Sequence, residues 1–318
     1  MGLASIFSLM LAFFVHTLLT RKEKKMNKEA MQQQILEALE KKLGDEYSIR
    51  IREVYKTNIK LDGLTILKMG DNVSPTVYLE PYYEKLENGE QLNVIADEIS
   101  RLYFCSKIEV LDFDISPIQD FNFVKERLFV QIINRHYNKE LLSTIPHMPF
   151  LDDFAVTARC LLDLIDEGNS SFLIEDKHLK IWGMGKEELL AIAVQNTRKM
   201  IGVDVKGMAT VLKENCPEFV GGIPDLPLWV MTNKRKYLGA STVLFDDILW
   251  DFANVYGNFY VIFSSVHEVL LLPTEDSSDI DLITAINQSV NDTEVKADEV
   301  LGTKAYFYSR ENGFVCKG

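Results

Sequence analysis

The chain has 318 residues, of which 47% are hydrophobic and 25% charged, and it carries a net charge of −13. Residues 1–25 hold +3 (Arg21, Lys22, Lys24 and Lys25 against Glu23), which leaves −16 on residues 26–318. This length buries a sizeable core in one large domain or two smaller ones, and the composition shows no repeat or low-complexity tract.

Phosphate backbones and anionic membrane surfaces both demand the opposite charge, so direct nucleic-acid binding is not expected of the body. Acidity by itself serves solubility. Cys105, Cys160, Cys216 and Cys316 form no CxxC pair, which excludes zinc spacing and a small disulfide framework. They read as buried or incidental thiols in a reducing compartment.

Leu3–Thr20 is apolar and about long enough to span a bilayer, and Arg-Lys-Glu-Lys-Lys follows at once. A secretory signal places its positive charge first and ends in a small-residue cleavage site, and neither is present. Two readings stand. In one, Met26 is the true beginning and residues 1–25 are an over-extended gene start, Lys22–Lys25 reflecting purine-rich codons of a ribosome-binding site. In the other, the segment is an anchor whose trailing charge keeps the body in the cytoplasm. Both place residues 26–318 in the cytoplasm, and a membrane partner follows only from the second.

From Asn27, a capping residue, a helix carries Met31, Ile35, Ala38, Leu39 and Leu43 on one side and ends at Gly44. Strands are predicted at Ser48–Tyr55, Asn58–Met69 (around a turn signal at Asp62-Gly63) and Thr76–Leu79. Helices follow at Tyr82–Glu87 and Leu92–Phe104. Ser116-Pro117 divides an N-terminal α+β subdomain, residues 26–115, from a C-terminal one, residues 116–318.

The second part opens with a strand over Val124–Ile133 and a short helix or turn at Asn138–Ser143. Pro146 and Pro149 force Ile145–Pro149 into extended backbone. Ala155–Ile165 fits a strand or a helix. Ser171–Glu175 reads as a strand, Gly185–Arg198 as a helix and Gly221–Pro224 as a loop. The central unit is Leu228–Pro273: a strand to Thr232, a basic turn over Asn233–Tyr237, an amphipathic helix over Ser241–Tyr256, and strands at Phe259–Phe263 and Val269–Leu272. The helix stripe takes in Val243, Leu244, Ile248, Leu249, Phe252 and Val255. A helix at Ile280–Val290 and a strand at Ala305–Ser309 close the chain. Helices and strands mix without regular βα alternation, so the fold class is α+β, mixed sheets with packed helices.

Five stretches carry a resemblance: IINRHYN at Ile132–Asn138, IPHMPFLDD at Ile145–Asp153, HLKIWGMGKEELLAIAVQNT at His178–Thr197, MTNKRKYLGAS at Met231–Ser241 and SSVHEVLLLP at Ser264–Pro273. In their order and spacing they resemble an uncharacterised bacterial family, domain of unknown function 5688, over roughly Tyr47 to Arg310. The resemblance implies a fold neighbourhood and a bacterial source. It implies no activity.

Ser264, Ser265, His267 and Glu268 invite a hydrolase reading. In an extended segment, though, Ser265 and His267 share a face at too long a reach and Glu268 points away. No G-x-S-x-G elbow supplies a strained nucleophile. A histidine satisfied at a strand junction is the plainer account. His147 with Asp152 and Asp153, completed by His267, would be a metal site only if those groups converged, and no H-E-x-x-H or H-x-H spacing occurs. The compact basic turn of Asn233, Lys234, Arg235, Lys236 and Tyr237 could contact a phosphate or a partner carboxylate, or be a solvated tip. Asp246, Asp247 and Asp251 lack a glycosidase pattern and read as a solvated helix face.

These features point to a cytoplasmic accessory or regulatory protein that acts by binding a protein partner or a small molecule, with no cofactor and no metal. One alternative is a hydrolase using His147 and His267 with nearby carboxylates. The other is an acidic mimic of DNA, which requires regular rows of carboxylates.

Overall fold

A computed structural model of the chain describes residues 27–71, 74–111, 116–162, 171–215, 227–275 and 280–315. The apolar segment before Met26, Met26 itself and the Gly221–Pro224 loop lie outside them. No helix among the described residues is long and apolar enough to cross a membrane. The described residues form two compact units, one within Met1–Val54 and Lys60–Asp114, the other within Tyr55–Ile59 and Ile115–Gly318.

In the first unit, helix α1 (Lys28–Leu43) starts where the Asn27 side chain accepts the Glu29 N–H, and it stops at Gly44, whose φ of +77° suits glycine. Strands β1 (Tyr47–Lys56), β2 (Ile59–Lys68) and β3 (Thr76–Tyr78) form a sheet in that order, joined by α2 (Glu80–Glu87) and α3 (Leu92–Leu111). Ile35, Leu39, Leu64, Ile66, Ile95 and Tyr103 close its core. Asp62-Gly63 is not the expected turn. The turn falls at Thr57-Asn58, with Asn58 at φ +62°, and Gly63 lies inside β2. Glycine is needed there because a Cβ would come within 2.6 Å of Val54 Cγ2 and 2.8 Å of Thr76 Cγ2.

The second unit is built on two antiparallel sheets. One has β6 (Phe154–Leu161) paired with β4 (Leu128–Asn134) on one edge, and with β5 (His147–Phe150) and β7 (Ser171–Leu173) in tandem on the other. The other runs β13-β12-β10-β11-β9-β8, made of β8 (Asp204–Gly207), β9 (Trp229–Thr232), β10 (Phe259–Ile262), β11 (Val269–Pro273), β12 (Ala305–Ser309) and β13 (Gly313–Val315). Helices α4 (Phe121–Lys125), α5 (Lys139–Leu142), α6 (Asp176–Trp182), α7 (Lys186–Ile201), α8 (Met208–Asn215), α9 (Asp246–Tyr256) and α10 (Ile280–Glu294) connect and cover them. A single apolar core joins Val130, Phe154 and Val156 to Leu189, Phe252 and Phe263. Helices and antiparallel sheets together make the class α+β.

Local departures from the expected elements have physical causes. Val124 is in α4, and the strand starts only at Leu128. Ala155–Ile165, open between helix and strand, is strand through Leu161, held by neighbours on both edges. The helix expected from Ser241 begins at Asp246. Ahead of it, Gly239–Leu244 is a 3-10 segment in which the Ser241 and Thr242 hydroxyls donate to the Leu238 and Gly239 carbonyls, at 3.0 and 2.7 Å. That shift rotates the apolar stripe, so Leu249, Phe252 and Ala253 are buried while Val255 is 72% exposed.

Candidate anion-binding site

Strand β4 ends at Asn134, whose buried Oδ1 accepts the N–H groups of His136 (2.9 Å) and Tyr137 (3.2 Å). The side chain thus replaces the ladder bonds lost where the strand stops and fixes the turn. Asn138, also buried, donates from Nδ2 to the Asn134 carbonyl (2.7 Å) and to Asn58 Oδ1 (2.8 Å). Between two pinned asparagines, Arg135 and His136 have little choice but to project outward. Lys139 follows at the start of α5.

Across from this turn runs β5, kept extended by Pro149 and the preceding Pro146. Its first residue, His147, has Nδ1 3.0 Å from the Ile145 carbonyl oxygen. A carbonyl can only accept, so Nδ1 carries a hydrogen and is spent on Ile145, which leaves Nε2 as the ring nitrogen available to a ligand. Turn and strand enclose a cavity of about 440 Å³, with Arg135, His136, Lys139, Ser143 and His147 as its polar lining and Leu142, Pro149, Phe154 and Ala155 as its apolar one. No carboxylate lines it, and neither Arg135 nor Lys139 has an ion-pair partner among the described residues.

An acid stands behind the lining and touches it through His136. Asp153 is buried, and its carboxylate holds His136 Nε2 at 3.0 Å, Lys304 Nζ at 2.8 Å and the Tyr306 hydroxyl at 2.7 Å. Burial alone would raise its pKa. The hydrogen bonds from Lys304 and Tyr306, with the Lys304 charge and His136, outweigh that and hold it below the usual carboxylate range. Burial and the same contact push the Tyr306 hydroxyl up. Asp153 therefore stays ionised and fixes the His136 ring.

Asp152 is exposed and outside the cavity lining. His267 lies outside it too. Its Nδ1 accepts the Leu238 N–H at 3.2 Å, its Nε2 is 3.8 Å from Glu299 Oε1, and its own N–H donates to Ser265 Oγ. Ser264 Oγ is bonded to Asn291 Oδ1. Neither serine is set against the imidazole as a nucleophile. Burial holds the Glu268 carboxyl above its ordinary range, only partly offset by His267 and Ser265. No group of three or more His, Cys, Asp or Glu among the described residues is placed to hold a metal.

The basic turn is internally tied. Asn233 is fully buried, and its Oδ1 accepts from the Arg235 and Tyr237 N–H groups while Nδ2 donates to the Tyr237 carbonyl. Lys234 is exposed and Arg235 half-buried. The Tyr237 hydroxyl meets Ser171 Oγ at 3.1 Å, and Arg159 donates to that same Ser171 and to Gln131. Among the helix carboxylates, Asp246 accepts from the Tyr308 hydroxyl and Asp247 pairs with Arg198 through both oxygens. Cys160 is buried, which raises its thiol to about 12 and leaves it inert. Sequence reasoning singled out His147 as a hydrolase or metal candidate and passed over Arg135, His136 and Lys139; the available signal was three basic side chains within five residues of an acidic chain.

The model of a family of unknown function, DUF5688, matches residues 28–310. Neither the curated proteins nor the solved structures yield a match.

Proposed function

The chain belongs to this family of unknown function, DUF5688, and we propose that it is a bacterial cytoplasmic accessory or regulatory protein that binds a small anionic ligand in the cavity of Arg135, Lys139 and His147. One observation carries the reading. In a chain of net charge −13, this cavity is lined by two full cations and two histidines and, among the described residues, by no carboxylate. Its volume lies within the range of roughly 300–1,000 Å³ usual for small-molecule pockets. An acidic surface repels anions elsewhere and makes a local cationic concavity selective. Binding is favoured over hydrolysis because Ser143, the hydroxyl in the lining, donates to the Glu140 carbonyl at 2.6 Å, and His267 is not part of the cavity.

Calorimetric titration of the full chain with inorganic phosphate and with citrate tests this. Saturable binding is expected, weakening as salt rises. The double variant Arg135→Ala/Lys139→Ala should lose about 10- to 100-fold in affinity, the worth of one or two charge-assisted contacts. Equal affinity in the variant would sink the assignment.

A further inference from the structure

The cavity has a neighbour. A second hollow of about 540 Å³ shares His147 and Pro149 with it and continues along α7, where Leu190, Ala191 and Val194 line it together with Met148. Spacings of three and four residues place those three helix positions on one side of α7. Its two charged lining groups, Lys186 and Glu187, lie 3.8 Å from each other and leave it without net charge. Gln195 is the one uncharged polar side chain beyond the shared histidine. A sugar or nucleobase needs several convergent donors and acceptors, and a site that leaves them unpaired discriminates strongly against them. An alkyl chain needs none.

We propose that the ligand is an anionic amphiphile: an oxyanion, carboxylate or phosphate, held by Arg135 and Lys139, with an alkyl tail passing His147 and Pro149 to lie against Leu190, Ala191 and Val194. The assignment rests on the anion-binding reading of the first cavity and adds the second to it. His147 sits at the junction, its Nδ1 fixed on Ile145, so the ring forms a set wall past which the tail turns.

The test is a chain-length series on the full protein below micellar concentration: butanoate, octanoate and dodecanoate, with inorganic phosphate and decyl phosphate as the second arm. Each methylene that becomes buried should raise affinity by about fourfold. The two arms show which oxyanion is preferred. Ala191 is exposed, so Ala191→Trp fills the second hollow without disturbing the core; it should abolish the gain with chain length and leave inorganic phosphate binding unchanged. Arg135→Ala/Lys139→Ala should weaken every member of the series alike. Dodecyltrimethylammonium, with the same tail and the opposite head, should bind at least tenfold more weakly than dodecanoate. Affinity that is flat with chain length, while phosphate still binds and still needs Arg135 and Lys139, overturns the amphiphile and leaves the anion site standing. Long chains binding equally to the double variant, or the cation binding as well as the anion, overturn the amphiphile from the other side. If no anion binds, the anion-binding reading itself fails, and the amphiphile with it.

Discussion

Two turns of the second unit use the same device and arrive at opposite results. Asn134 and Asn233 each accept two backbone N–H groups on a buried amide oxygen, and each is followed by basic residues. After Asn134 the cations line a hollow free of carboxylates. After Asn233, Lys236 lines a smaller hollow of about 170 Å³ with Lys206 and three carboxylates, Asp204, Glu214 and Glu268, the first two paired with Lys206, so carboxylates there outnumber the cations. The proposed anion site depends on a surface behind the first turn that is concave and leaves the charge unbalanced. Sequence shows the cations of both turns; the balance appears only in three dimensions.

The second turn should prove the more fragile of the two. Gly239 stands where an added Cβ would overlap Thr232 Oγ1 and the His267 carbonyl oxygen. These are backbone and a locked hydroxyl that donates to that same carbonyl, so neither can yield. Gly239→Ala should cost about 3 kcal/mol or more, read from denaturant melts, with phosphate affinity unchanged in whatever protein still folds. A neutral Gly239→Ala would mean that the turn is soft and the contrast false.

A smaller effect, and one that depends on pH, should appear at the first turn. Asp153 has a depressed pKa in the folded chain. Its stabilisation is therefore present above its unfolded value of about 3.9 and is lost as pH falls through the lower folded value. Asp153→Asn should cost about 2–3 kcal/mol at pH 7 and flatten the loss of stability below pH 4. Parallel acid profiles for the two proteins would show that the carboxylate is not the group responsible. The smallest change is expected from His267→Ala, which removes the acceptor for the Leu238 N–H: about 1–2 kcal/mol and no change in anion binding. A variant of unchanged stability that loses the ligand would move the site from the first turn to the second.

The α+β class was legible because period-2 and period-3.6 patterns survive in β1, α7 and α1, where one face meets a core. Local signals misled where a tertiary demand overrode them. Asp62-Gly63 reads as a turn, yet the glycine answers the crowding of Val54 and Thr76, and buried Asp62 answers Lys28, Gln32 and Tyr83. Ser241 and Thr242 read as helix, yet their hydroxyls bond backward and tighten the segment. At the candidate site, His147 stood out because two prolines frame it. Arg135 and Lys139 did not, because charges beside an asparagine look like any solvated turn until β4, β6 and β5 are seen to pair. Which of Asp152 and Asp153 is buried depends on where β6 begins, and strand ends are the least readable feature of a sequence.

The whole lining of the first cavity lies between Arg135 and Ala155, a short contiguous run. Loops this short close at little entropic cost, and the backbone of the cavity wall comes from β4, β5 and β6 alone. During synthesis that run emerges long before residue 304 is made. Its fastening comes later, because the Asp153 carboxylate waits for Lys304 and Tyr306, about 150 residues downstream. The pocket is thus an early product of the chain, and the clasp behind His136 is a late one. A nascent chain halted before residue 304 would hold the cations of the site with the ring of His136 still unanchored.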